Sequence, residues 1–302
     1  MKKLKNNKIK NNKLFLDKYQ EYKDLVNNRL EKIIDKNDES CVAQAMRYSL
    51  NIGGKRIRPV LTLAFCESCF GFKQEALDIA CAIEMIHTYS LIHDDLPCMD
   101  DDNFRRGWPA CHIKFGQAIA LLAGDGLLTD AFNLISKSNI EPSIKINIIK
   151  ILSEATGSKK MIFGQELDIN KKTKTSSKIL DKINKLKTCE LIKASAVLGC
   201  LVAKTNKNKI LAASRFGEAL GLAFQIKDDI IDVTGRQEII GKPVMSDKNN
   251  GKLTYVDLIG ESEAEKKVEE LSKEAINILK KEFEGKIDFL IDLTNFLLNR
   301  ES

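Results

Sequence analysis

The stretch ALDIACAIEMIHTYSLIHDD, residues 76–95, carries apolar side chains on every face of a helix and has no glycine or proline to break it. A run of this kind reads as a helix enclosed on all sides, not as a strand or a surface helix. It ends on Asp94-Asp95, two charges that packing alone does not call for. GQAIALLAGDGLLTDAFNLI (116–135) is a second long apolar helix. Outward from these two, apolar residues at three- and four-residue steps predict helices over 14–38, 40–51, 143–156, 158–169, 177–203, 207–233 and 262–299. Pro59 sits in the first turn of a further helix, where its missing N–H costs nothing. Strand-type alternation is essentially absent, and the polar segment 235–252 reads as a loop. The fold class is all-α.

Composition bounds what such a chain can do. Apolar residues make up 43% of 302, enough for a large core, and only five prolines interrupt it. No linker divides the chain, so residues 14–302 are expected to form a single all-helical domain. The net charge of +6 is local: residues 1–13 hold six lysines and no acid. That run reads as a basic, disordered tail, and the balanced remainder argues against nucleic-acid binding. No window approaches 18 apolar residues, so no transmembrane helix or stable membrane anchor is expected. Eight cysteines lie scattered without a framework, and Cys66-x-x-Cys69 falls on one apolar helix face as core. A reduced, cytoplasmic protein follows from that usage.

Chemistry concentrates in two acidic clusters, each ending a long apolar helix: DDLPCMD (94–100) and DDIID (228–232). Asp228 and Asp232 are four apart and share a helix face, so they repel unless a cation compensates. Asp94 and Asp100 would stand about 120° apart on a regular helix. Pro97 breaks that helix and lets Asp100 turn back toward Asp94. A lone Asp-Asp pair is ordinarily solvated surface; two such clusters at helix ends are not. All-carboxylate donors suit a hard cation, and without EF-hand spacing Mg²⁺ fits better than Ca²⁺. Mg²⁺ takes one or two carboxylates and completes its shell with water and phosphate oxygens, so two sparse sets facing each other predict a bridging diphosphate. Basic residues outline a second anion position: GGKRIRP (53–59), Arg105-Arg106-Gly107, Lys187-Thr188, Gly241-Lys242 and Lys252.

On these motifs, over residues 25–300, the chain resembles the trans-polyprenyl diphosphate synthases, most closely the bacterial farnesyl ones. FQ (224–225) and GKPVMSDKNNGKLTY (241–255) belong to the same match. The resemblance implies a helical bundle of the isoprenoid synthase type around a central cavity. It implies Mg²⁺, three ions with diphosphate bound, held by Asp94, Asp100 and Asp228, with Asp95, Asp229 and Asp232 as ligands through water. Arg105, Lys187 and Lys242 would hold the allylic diphosphate; Lys55, Arg58, His87 and Arg106 the diphosphate of isopentenyl diphosphate. Thr188 and Gln225 would line the reacting carbons, and Lys252 would add to substrate binding. The reaction implied is head-to-tail condensation of isopentenyl diphosphate with dimethylallyl or geranyl diphosphate to farnesyl diphosphate, in a homodimer with faces such as 116–135 at its interface. Trp108, Cys189 and Met245 depart from the usual pattern without removing a ligand.

Product length has a physical reading of its own. Tyr89 lies five residues, about one and a half turns, before Asp94, with Ser90 beside it. A ring there would close the cavity; the resemblance, whose short-chain members carry such a block here, implies a fifteen-carbon product over geranylgeranyl diphosphate, with a ten-carbon geranyl product the remaining length. Two other classes are weaker. A non-catalytic partner subunit would lack one Asp motif, and a terpene cyclase would not need cations for a second diphosphate.

Overall fold

In the computed structural model, which describes residues 2–170, 177–234, 254–298 and 300, the 76–95 run is the body of helix α4 (Lys73–Asp94). The consecutive residues Ile79, Ala80, Cys81 and Ala82 point to different sides of α4 and all are buried, as an all-round apolar helix requires. Before it come α1 (Lys2–Leu30), α2 (Cys41–Asn51) and α3 (Ile57–Ser68). Ser40 caps α2, its Oγ accepting the Ala43 N–H at 3.2 Å. After α4 come α5 (Cys111–Phe115), α6 (Gln117–Lys137), α7 (Pro142–Thr156) and α8 (Met161–Ile169). The second half holds α9 (Ser177–Asn184), α10 (Glu190–Val202), α11 (Lys207–Thr234), α12 (Tyr255–Ile259), α13 (Glu261–Glu282) and α14 (Asp288–Leu298). Neighbouring helices pack in the order α6, α4, α3, α10, α11, α13, and α1 lies across α3 and α4.

The predicted helices over 40–51, 143–156 and 207–233 are present, and the departures from expectation have local causes. α1 starts at Lys2, inside the run expected to be a disordered tail; lysine favours helix and no breaker separates 2–12 from the amphipathic part. At its other end α1 stops at Leu30 rather than 38, where Asp35 Oδ1 takes the Asn37 N–H at 2.9 Å in an Asx turn. The helix expected over 177–203 is interrupted by one π-helical turn, Lys185–Cys189. The helix expected over 262–299 breaks after Glu282, where Phe283 becomes extended and buries its ring 5.6 Å from that of Phe65. A strand pair, β1 (Phe104–Arg105) and β2 (Trp108–Pro109), closes through Arg106 and Gly107, both at positive φ. That is the two-residue turn whose twist matches a hairpin.

One expectation about apolar windows is corrected: α6 is long and apolar enough to cross a membrane by length and composition. Alanine and glycine raise its hydropathy without adding bulk. Ala120, Ala123, Gly124, Leu127 and Ala131 are buried inside the protein, while Leu121 and Leu122 on the other side are half-exposed.

Candidate active site

A cavity of about 1190 Å³ opens between α3, α4, α6, α8, the π turn and α11. From α4 it receives Glu84, His87, Leu91 and Asp94, a stripe at three- and four-residue steps. From α11 it receives Gln225 and Asp228.

The acidic end forms as the spacing around Pro97 predicts. After α4 stops, the chain folds back so that the Asp100 N–H donates to the Asp94 carbonyl at 2.8 Å. Asp94, Asp100 and Asp228 then line one cavity. Burial pushes the Asp94 carboxyl up to about 6, with Lys187 opposing and Asp100 adding to the shift. Asp94 Oδ1 accepts a 2.8 Å hydrogen bond from Gln165 on α8. Burial likewise raises Asp228, against Arg300 and Lys55.

The second aspartate of each pair behaves differently. Asp95 is 1% exposed and is clasped by Arg105, whose Nε lies 2.9 and 3.2 Å from its two oxygens. Asp229 is 4% exposed and accepts from Gln225 Nε2 at 3.2 Å and the Tyr255 N–H at 2.9 Å. Neither lines the cavity. Adjacent helical residues point about 100° apart, so only one of each pair can face inward. Asp232 also stands outside the lining, one turn past Asp228. Asp95 and Asp229 are thus braced by protein groups, and their reading, with Asp232, as ligands through water is a proposal.

The basic end gathers Lys55, Arg58, His87 and Arg106 on the same cavity. Arg58 Nη1 lies 3.3 Å from His87 Nε2. A guanidinium only donates, so that nitrogen is the acceptor of a neutral imidazole. Burial, then the charges of Arg58 and Arg106, holds the His87 pKa well below its ordinary value. Arg58 Nε is buried with no partner among the described residues, an orphan donor at the place expected for an anion. Arg106 donates to the Gly53 carbonyl.

Between the ends, the π turn pushes Lys187 and Thr188 toward the cavity, a common use of such turns. A Cβ at Gly164 would stand 2.4 Å from the Lys187 nitrogen, so glycine lets α8 approach this turn. Lys187 Nζ reaches Asp168 Oδ2 at 2.8 Å, and Thr188 Oγ1 donates to Gln225 Oε1 at 3.1 Å. Tyr89, Ser90 and Leu128 line the cavity between α4 and α6, and the Tyr89 ring meets His93 edge-on at 5.7 Å.

Residues 39–293 match the polyprenyl synthetase family. The chain belongs to that family. It is 48% identical to the farnesyl diphosphate synthase of Micrococcus luteus over 223 residues, 74% of this chain and 77% of that one. It is 44% identical to the farnesyl diphosphate synthase of Geobacillus stearothermophilus over 253 residues, 82% and 85% of the two chains. A solved geranyltransferase of Helicobacter pylori, complexed with magnesium and isoprenyl diphosphate, superposes with a TM-score of 0.81 at 34% identity, covering 94% of this chain and 96% of its own. This polyprenyl synthetase is thus an enzyme of prenyl transfer with the all-α fold of its relatives.

Sequence reasoning missed several groups in this synthetase's site. Gln165 and Asp168 share one face of α8 and touch Asp94 and Lys187; their spacing of three was the available signal. Arg300 donates to Asp228 and lies 3.8 Å over the Phe224 ring, a partnership that nothing local announces. Arg56 and Glu84 form a buried pair at 2.7 Å beneath the basic end. Lys242 and Lys252, with the expected loop, lie outside the described residues.

Proposed function

We propose that this protein condenses isopentenyl diphosphate head-to-tail with dimethylallyl and then geranyl diphosphate, stopping at (2E,6E)-farnesyl diphosphate. The observation that carries this reading is one cavity lined by two sets of charge, the carboxylates Asp94, Asp100 and Asp228 and the basic group Lys55, Arg58, His87 and Arg106. Two diphosphates need two such positions, one metal-bridged and one held by cations alone. The donor set fits Mg²⁺. It is all carboxylate, with Asp94, Asp100 and Asp228 on one cavity. That suits an ion which completes its shell with water and phosphate.

When bound at Asp94, Asp100 and Asp228, Mg²⁺ supplies the positive charge that lets the allylic diphosphate leave. The chain's own groups do the rest. Arg105, Lys187 and Lys242 hold that diphosphate and stabilise charge as it develops. Lys55, Arg58, Arg106 and neutral His87 hold isopentenyl diphosphate so that its double bond faces the allylic carbon. Thr188 and Gln225, already hydrogen-bonded to each other, line the reacting carbons. No side-chain nucleophile is required, and the released diphosphate accepts the proton lost. Tyr89 forms the floor of the product channel. Half-exposed Leu121 and Leu122 on α6 support a homodimer through that face. Eight free cysteines support a reducing, cytoplasmic setting.

The test is product analysis. Labelled isopentenyl diphosphate, Mg²⁺ and dimethylallyl or geranyl diphosphate should give a fifteen-carbon product that vanishes with EDTA. A twenty-carbon product would overturn the Tyr89 floor while keeping the chemistry. No elongation would overturn the reading.

A further inference from the structure

Glu84 has no part in the scheme above, yet it lines the cavity. It is 1% exposed, and its Oε1 accepts from Arg56 Nη1 at 2.7 Å. Arg56 is 4% exposed and spends its other nitrogens on Asn27 Oδ1, at 2.9 Å, and on the Leu50 carbonyl. Its backbone is left-handed at φ 51°, a strained conformation for a non-glycine residue, and it lies between Lys55 and the first turn of α3, which carries Arg58. The side-chain bonds of Arg56 therefore hold the backbone turn that presents both cations. Glu84 shares the cavity with Arg58 and Arg106, and its charge favours their charged forms against burial. His87 lies one turn along the same face of α4, between Glu84 and Asp94. A buried ion pair is a weak source of stability, because desolvation offsets attraction. Its placement at the Arg56 turn, on the cavity that Arg58 and Arg106 also line, points to another use.

We infer that Glu84 is a positioning residue for isopentenyl diphosphate: a buried counter-ion that, through Arg56, fixes the 53–56 turn and keeps Arg58 and Arg106 gathered before the substrate's own charge arrives. This rests on the assignment of Arg58 and Arg106 to isopentenyl diphosphate made above. Without Glu84 the cations repel one another in a low-dielectric corner, and the half-site must be reassembled at each binding event. The allylic half-site at Asp94, Asp100 and Asp228 has its own supports in Gln165, Arg105 and Arg300 and is left intact.

Steady-state kinetics of the purified enzyme with Mg²⁺ separate these roles. Glu84→Gln should raise the KM for isopentenyl diphosphate about tenfold and leave the KM for geranyl diphosphate within about twofold. The double variant Arg56→Met/Glu84→Leu replaces the pair by apolar groups of similar size. It should melt near the parent's temperature yet keep the raised isopentenyl diphosphate KM. Arg58→Ala is the reference. If it raises that KM and neither Glu84 variant does, the positioning role is overturned and the half-site stands. If Arg58→Ala leaves the KM unchanged, the half-site assignment falls, and the inference with it. A loss of melting temperature in both Glu84 variants with an unchanged ratio of the two KM values would reduce Glu84 to a packing residue.

Discussion

The two aspartate motifs face one cavity but are built differently. The first, 94–100, stands where α4 ends, and its last aspartate is brought back by a 2.8 Å backbone hydrogen bond to Asp94. The second, 228–232, lies inside α11, which runs on to Thr234. The helices behind them differ as well. Ten, seven and five residues before Asp94 stand Glu84, His87 and Tyr89; the same steps before Asp228 give Glu218, Gly221 and Ala223. Glu84, His87 and Tyr89 all line the cavity, whereas Glu218 pairs with Lys185 and Ala223 is buried. The braces differ too. Asp95 is held by an arginine ten residues away on an adjacent hairpin, Asp228 by one 72 residues away near the C-terminus. One motif thus shares its helix with the residues proposed for the anion site and the channel floor. The other contributes its carboxylate from a helix packed tightly for closeness.

Substitutions can break or sharpen that contrast. The largest effect should be shared: Asp94→Asn and Asp228→Asn should each lower kcat/KM about 10³-fold, because each removes charge that matters when the diphosphate leaves. A loss of only a few-fold at Asp228, measured in the same assay, would break the equivalence of the motifs. Stability should separate them next. Arg105→Ala removes the clasp on a carboxylate that is 1% exposed and should cost about 3 kcal/mol in urea unfolding. Arg300→Ala frees one whose side chain is 45% exposed and should cost less than about 1 kcal/mol. Equal losses would erase the distinction between the braces. Tyr89→Ala should lengthen the product from fifteen to twenty carbons, read by chromatography after dephosphorylation; an unchanged length would put the floor elsewhere. The smallest effect is a pH dependence confined to the first helix. Folded His87 has a pKa well below 6.5, while in the unfolded chain it takes up a proton near that value. Stability should therefore decline as pH falls below 6.5, and His87→Asn should flatten the decline in denaturation curves at several pH values. Parallel curves would remove His87 from the account.

Much of this was legible because the physics is local. The apolar runs declare α4, α6 and α11, and Pro97 explains how Asp100 returns. What stayed hidden depends on partners distant in sequence. Asp95 and Asp229 read as ligands through water, and nothing local announces the protein groups that hold them, Arg105 on the hairpin and the Tyr255 N–H. Glu84 reads as a polar interruption in an apolar helix until Arg56 is found beside it. The π turn at Lys185–Cys189 contains no glycine or proline to announce it; the close approach of α8 at Gly164 accompanies it.

The hairpin between β1 and β2 sets a length. Arg105 reaches back to Asp95 at the acidic end, and Arg106, next to it in the left-handed turn, reaches Gly53 at the basic end. Neighbouring Cα atoms are about 3.8 Å apart, so one peptide unit fixes the spacing of the two arginines and, under the proposed roles, of the two diphosphates they hold, like the fixed jaw of a caliper. Inserting one residue between the two arginines would leave each half able to grip its own ligand. It would also shift the separation of the two reacting carbons, so the enzyme would keep its grip on both substrates and lose the reach to join them.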